Sequence, residues 1–140
     1  MFQGTSLLVL DQKGRLSMPA RHREALAVLC EGKVTVTRHP DGCLVIYPTP
    51  VWERKREALA RLPYSARAIV RYVLGSAVDL TPDRAGRILI PAELRLMGNL
   101  TKEVALLGLG EHFELWNRET LEAREQEAAA AGFEAADFTF

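Results

Sequence analysis

The chain has little of what enzymes and secreted proteins usually carry. Its 140 residues include two cysteines, Cys30 and Cys43. That is too few for a disulfide framework, and their spacing matches no zinc motif. Both read as small buried apolar residues, and the default compartment is the cytoplasm. Histidine is equally sparse: His22, His39 and His112. None stands with a serine or cysteine at a catalytic-looking station. His22 reads as a helix-surface residue and His39-Pro40 as part of a turn. The sequence holds no glycine-rich phosphate loop and no metal-ligand spacing, so no enzymatic activity, cofactor or metal is expected. Apolar runs stay well short of the roughly 18 residues that a membrane span needs. The opening Met1-Phe2-Gln3-Gly4-Thr5 has neither the basic start nor the long apolar stretch of a secretion signal.

Net charge is also absent, with 18 basic and 18 acidic residues. This zero conceals a segregation. Residues 1–80 carry 12 Lys/Arg against 7 Asp/Glu, and residues 81–140 carry 6 against 11. The last thirty residues alone hold 2 Arg against 8 acidic groups. Polyanions respond to local field rather than to the sum, so a nucleic-acid partner remains open.

What the chain does have is a repeated stretch. Asp11-Gln12-Lys13-Gly14-Arg15-Leu16-Ser17-Met18-Pro19-Ala20 returns as Asp83-Arg84-Ala85-Gly86-Arg87-Ile88-Leu89-Ile90-Pro91-Ala92. Asp, Gly, Arg, Pro and Ala recur at a constant offset of 72 residues. Repeats of this kind set the architecture of a chain. Each copy reads as strand, turn, strand, helix. The Asp supplies side-chain turn chemistry and the Gly supplies positive φ. A short alternating strand follows, and the Pro ends it and suits the first turn of a helix. Ile88-Leu89-Ile90 is apolar throughout, which predicts burial on both faces.

The similarity continues outward. Lys33–Arg38 and Cys43–Tyr47, separated by His39-Pro40-Asp41-Gly42, predict a hairpin. Val104–Gly110 and Glu111–Trp116 answer it. Thr49 and Pro50 are placed to cap and start a helix over 51–61, with Trp52 on its apolar face. A second helix is expected over 66–74, stopped by Gly75, and a third over 118–131, capped by Asn117. Phe133, Phe138 and Phe140 give the acidic tail an apolar component, expected either to dock on a neighbour or to be disordered. The division falls at residues 1–75 and 76–140.

The turns carry Lys13 and Arg15 in one copy, Arg84 and Arg87 in the other. A guanidinium can grip a phosphate, or the O6/N7 edge of guanine, with two hydrogen bonds. A turn needs glycine far more than arginine, so an Asp–Arg pair repeated at one spacing favours binding over mere turn closure. The competing role is an interaction module built on the acidic tail and the apolar 64–74 segment. The discriminating feature is whether Arg15 and Arg87 are available or consumed by Asp11 and Asp83.

The duplicated Asp-x-x-x-Arg stretch, the Met-Phe-Gln-Gly start, the Pro-x-Val-Trp helix and the strand ending Phe-Glu-Leu-Trp resemble the MraZ family over nearly the whole chain. The resemblance implies an α+β fold: a duplicated AbrB-like swapped-hairpin β-barrel with flanking helices and pseudo-twofold symmetry. It implies a bacterial transcriptional regulator of the division and cell-wall gene cluster, binding direct repeats of double-stranded DNA in its own promoter as a homo-oligomeric ring, and hence nucleoid-associated. The signature arginines face the DNA in that family, which places Arg15 and Arg87 at the contact, with Asp11, Gly14, Asp83 and Gly86 shaping the turns. Lys13 and Arg84 join them on charge and position. Ala85 stands where the first copy has Lys13, so the second tip is expected to grip more weakly, with Arg84 partly compensating. A ring also suits the physics, because a few phosphate contacts per chain bind weakly at physiological salt and repetition raises effective concentration.

Overall fold

Eight strands and five α-helices alternate along the chain in the computed structural model, which describes residues 1–134 and 137–140. The first half runs β1 (Phe2–Val9), β2 (Arg15–Ser17), α1 (Ala20–Cys30), β3 (Val34–Arg38), β4 (Leu44–Pro48) and α2 (Thr49–Ala60). A short α3 (Arg67–Val73) follows, bracketed by 3-10 turns at Tyr64–Ala66 and Leu74–Ser76. The second half repeats the opening order: β5 (Val78–Leu80), β6 (Arg87–Leu89), α4 (Ala92–Met97), β7 (Glu103–Gly110), β8 (Phe113–Asn117) and α5 (Arg118–Ala130). The fold is α+β with antiparallel strand pairing throughout.

The entry strand of each half lies on the hairpin of the other: β1 pairs with β7, and β5 with β3. With β4 joined to β8, the result is a six-stranded sheet in the order β1-β7-β8-β4-β3-β5. β2 and β6 pair separately as a two-stranded ribbon. One exchange relates the registers. Leu8 faces Val104 and Leu80 faces Val34. Leu44 faces Leu115 and Ile46 faces Phe113. In the ribbon, Leu16 faces Ile88, its own counterpart. Swapping the copies turns each of these pairs into the other or into itself.

One core follows from this pairing. Phe2, Leu16, Leu26, Val36, Ile46, Ile88, Leu94, Leu106, Phe113 and Leu115 belong to a single buried cluster drawn from both halves. Each fully buried side chain of this size contributes about 1.5–3 kcal/mol relative to exposure. β3 is buried on both faces, and its two threonines find partners there. Thr35 Oγ1 donates to Asp79 Oδ1 and Thr37 Oγ1 donates to the Val73 carbonyl. A smaller cluster gathers Cys43, Ala105, Trp116 and Leu121 where α5 covers β7 and β8.

Several local expectations change. β1 begins at Phe2 rather than Ser6, because its ladder partner β7 lies about a hundred residues away in sequence and supplies pairing that local propensity cannot show. Leu89 is 51% exposed, so β6 is buried on one face only, the face of Ile88. His22 is not on the surface: it is buried between the rings of Phe2 and Phe113, with centroids 5.7 and 4.9 Å away. Burial, with the Arg21 charge beside it, lowers its pKa and keeps the imidazole neutral. Cys43 is buried as expected, whereas Cys30 is only half-buried. Thr49 does not cap α2; it lies inside the helix and its hydroxyl donates to the Lys33 carbonyl, 2.9 Å. Gly75 sits within a 3-10 turn instead of ending the helix. Asn117 does cap α5, accepting from the Thr120 N–H at 3.1 Å. Phe133, Phe138 and Phe140 are exposed.

Candidate nucleic-acid interface

The two turns are wired alike. Asp11 Oδ1 accepts the backbone N–H groups of Lys13 and Arg15, each at 2.9 Å, and Oδ2 accepts Arg15 Nε–H. Asp83 Oδ1 accepts those of Ala85 and Arg87 at 2.9 and 3.0 Å, and Oδ2 accepts Arg87 Nε–H at 2.9 Å. The Gly N–H returns to the Asp carbonyl at 3.0 Å in both. Gly14 and Gly86 take φ of +87° and +77°, which a β-carbon would strain. The backbone N–H of Arg15, then its guanidinium, holds the Asp11 carboxyl down at about 2 against a smaller desolvation effect. Asp83 is lowered in the same way, first by the backbone N–H of Arg87.

This wiring settles the orientation of each arginine without consuming it. The Asp takes only Nε–H, so the flat guanidinium is fixed in plane. Its terminal Nη groups hydrogen-bond to no protein group among the described residues. Lys13 and Arg84 are exposed. The ribbon then joins the two copies. Arg15 faces Leu89 and Ser17 faces Arg87, with the buried Leu16–Ile88 pair between them. Side chains alternate along a strand, so Arg15, Ser17, Arg87 and Leu89 share the face opposite the core. Arg15 and Arg87 are diagonal neighbours on that face, about 7–8 Å apart at their α-carbons. The tips that look separate in the sequence form one continuous surface.

Sequence reasoning missed four members of this surface. Ser17 and Leu89 occupy equivalent positions and signal themselves only once the ribbon register is known. Arg23 and Arg95 stand 72 residues apart, the offset of the signature, just beyond the compared stretch. Arg95 lies over Gly14 and Arg23 over Gly86: a β-carbon on either glycine would sit 2.4 Å from Arg95 Nε or 2.3 Å from Arg23 Cδ.

The basic stretch of α2 is partly spent elsewhere, as Arg54 pairs with Glu111 at 3.0 Å. One cluster has metal-ligand composition: His39, Cys43 and Glu114 bring donor atoms within 4.8 Å of one another. Burial, and then the Glu114 and Asp41 charges, push the Cys43 thiol up to about 12, so it is protonated and a poor ligand. The Asp41 N–H donates to His39 Nδ1 at 3.0 Å, and Trp116 Nε1 donates to Glu114 at 2.8 Å. The group is a satisfied polar corner beside the α5 cluster. No helix among the described residues is long and apolar enough to cross a membrane.

Comparison with known proteins agrees with this geometry. A family model described as "MraZ protein, putative antitoxin-like" matches twice, over residues 1–70 and 73–139. A protein of Paraburkholderia xenovorans is 54% identical over 142 residues, covering both chains completely. A protein of Ralstonia nicotianae is 57% identical over 132 residues, 94% of this chain and 93% of its own. One from Herminiimonas arsenicoxydans is 54% identical over the same span. All three are named transcriptional regulator MraZ.

Proposed function

The chain belongs to the MraZ family, and on that premise we propose that it is a DNA-binding transcriptional regulator whose β2–β6 ribbon meets double-stranded DNA. One observation carries the reading: two Asp-oriented arginines, one from each copy, lie on the outer face of a single ribbon with their Nη groups unengaged by protein among the described residues. A two-stranded ribbon fits the major groove, about 12 Å wide, where a guanidinium can take guanine O6 and N7 together. Arg15 and Arg87 are the base-reading residues, Lys13 and Arg84 the phosphate contacts, and Asp11, Gly14, Asp83 and Gly86 the parts that hold the turns. The cross-paired register supports a duplicated swapped-hairpin barrel with pseudo-twofold symmetry, its repeats bounded at 1–75 and 76–140.

The finer reading is a ring-shaped homo-oligomer that binds direct repeats in its own promoter, in the division and cell-wall gene cluster, in the cytoplasm at the nucleoid. One chain offers one small ribbon, which binds weakly alone; successive subunits presenting it in the same sense match repeated sites. Exposed apolar side chains on α1 and α4, such as Val28 and Leu96, offer packing surface for neighbouring chains.

The test is binding to the DNA upstream of its own gene against random duplex across a salt series. A preference that persists while both affinities fall with salt is expected. Equal binding to both would reduce the protein to an architectural binder, and binding to neither at low salt would move it to the interaction-module class.

A further inference from the structure

The glycines of the two turns are covered by arginines of the opposite copy. Arg95, on α4 of the second half, lies against Gly14 of the first turn. Arg23, on α1 of the first half, lies against Gly86 of the second. The two are equivalents, 72 residues apart like the signature itself. Neither forms an ion pair with a carboxylate among the described residues, although acidic side chains are as abundant as basic ones. A long cation laid on bare backbone at the base of a cationic tip costs electrostatic energy unless something anionic shares the site. The local sum supports this: Lys13, Arg15 and Arg95 surround Asp11, and Arg84, Arg87 and Arg23 surround Asp83, so each tip carries +2.

We infer that Arg23 and Arg95 are DNA-phosphate contacts, each completing the tip of the other copy. The inference rests on the DNA-binding reading above. Arg95 is also the better ordered of the two. Its Nε–H donates to the Ile90 carbonyl at 3.0 Å, and the Ile90 N–H donates to the Gly14 carbonyl at 3.0 Å. That chain leaves only the Nη groups of Arg95 for a ligand. They border an open groove of about 680 Å³ that Asp11, Gln12, Gly14 and Lys102 also line. The equivalent groove beside Arg23 is only about 90 Å³, with Pro82 packed on Gly32. Arg95 is therefore the stronger contact and Arg23 the weaker.

The decisive experiment measures the salt dependence of binding by Arg95→Ala, Arg23→Ala and Arg95→Lys to upstream and to random duplex, with Arg15→Ala as the internal reference. Loss of a phosphate contact lowers affinity for both duplexes alike, several-fold, and reduces the log–log salt slope by about 1 per contacting tip. Arg95→Lys, which keeps the charge, restores the slope. Arg15→Ala instead removes the preference for the upstream sequence. If Arg95→Ala retains wild-type slope and affinity while Arg15→Ala loses preference, the inference is overturned and the DNA-binding reading stands. If the slope drops but Arg95→Lys fails to restore it, Arg95 only positions the turn, and the inference is again overturned. If the wild type binds neither duplex, the underlying reading fails and the inference with it. Thermal melts of each variant separate loss of contact from loss of fold, and should Arg95→Ala unfold, Arg95→Gln replaces it in the same series.

Discussion

The two tips share every hydrogen bond of the turn and differ in what stands behind them. In the first, Arg95 is tied to Ile90, Ile90 is tied to Gly14, and a wide groove opens beside them. In the second, the mirror bond from Met18 to Gly86 is not formed among the described residues, Arg23 is exposed, and Pro82 fills the corresponding space. The part that orients the signature arginine was kept in both copies. The part that backs it was allowed to diverge. This separates two requirements: holding a guanidinium in plane, which needs an Asp two bonds away, and stiffening the tip, which needs the opposite half of the chain.

The most severe way to break the comparison is to remove the pair on which the ribbon closes. Leu16 is fully buried and Ile88 nearly so. Leu16→Ala and Ile88→Ala should each lose about 2–5 kcal/mol of stability, by equal amounts within error, in urea unfolding. Unequal losses would show that the two halves contribute differently to the core. Next in size, Arg15→Ala and Arg87→Ala should each weaken binding to the upstream DNA by about 1–3 kcal/mol and relax sequence preference. Arg15 should cost more, because its tip is the stiffer.

Gly14→Ala and Gly86→Ala sharpen the contrast. Both force a β-carbon into positive φ, at about 1–2 kcal/mol. Gly14→Ala must also displace Arg95 from Ile90, a lost hydrogen bond worth about 1 kcal/mol more, whereas Arg23 has no such anchor to lose. Chemical denaturation of the two variants should therefore rank Gly14→Ala as the less stable. The smallest effects are pH effects. The folded Asp11 carboxyl lies near 2, below its ordinary 3.8. Its stabilisation is therefore fully present above about pH 4 and is lost only as pH falls toward 2. Carboxyl chemical shifts should show no titration of Asp11 or Asp83 between pH 5 and 8. His22 occupies the place that Leu94 takes in the second copy. Its pKa is lowered below 6.5, so stability is present above that value and declines as pH drops through the depressed pKa. His22→Leu should flatten the pH dependence of the melting temperature between 7 and 5.

Much of the interface could be read from the chain because turn chemistry is local. Asp, Gly and Arg at fixed spacing define the loop within five residues, and the repeat confirmed the spacing internally. The ribbon that unites the tips could not be read, since Leu16 and Ile88 meet across most of the sequence. The exposure of Leu89 and the burial of His22 have the same origin. Both depend on what the other copy places against them, and neither apolarity nor helical position reports that. Arg23 and Arg95 were visible as a repeat; their meaning was not, because lying over a glycine of the opposite copy leaves no trace in spacing.

The central claim is that the outer face of one cross-copy ribbon is the DNA-binding surface. The most direct test combines Arg15→Ala with Arg87→Ala and measures two quantities on the same sample: binding to the upstream duplex, and particle mass by light scattering. The account predicts that sequence preference is lost while the mass is that of the wild type. Retained preference, or dissolution of the assembly with the arginines gone, would contradict it.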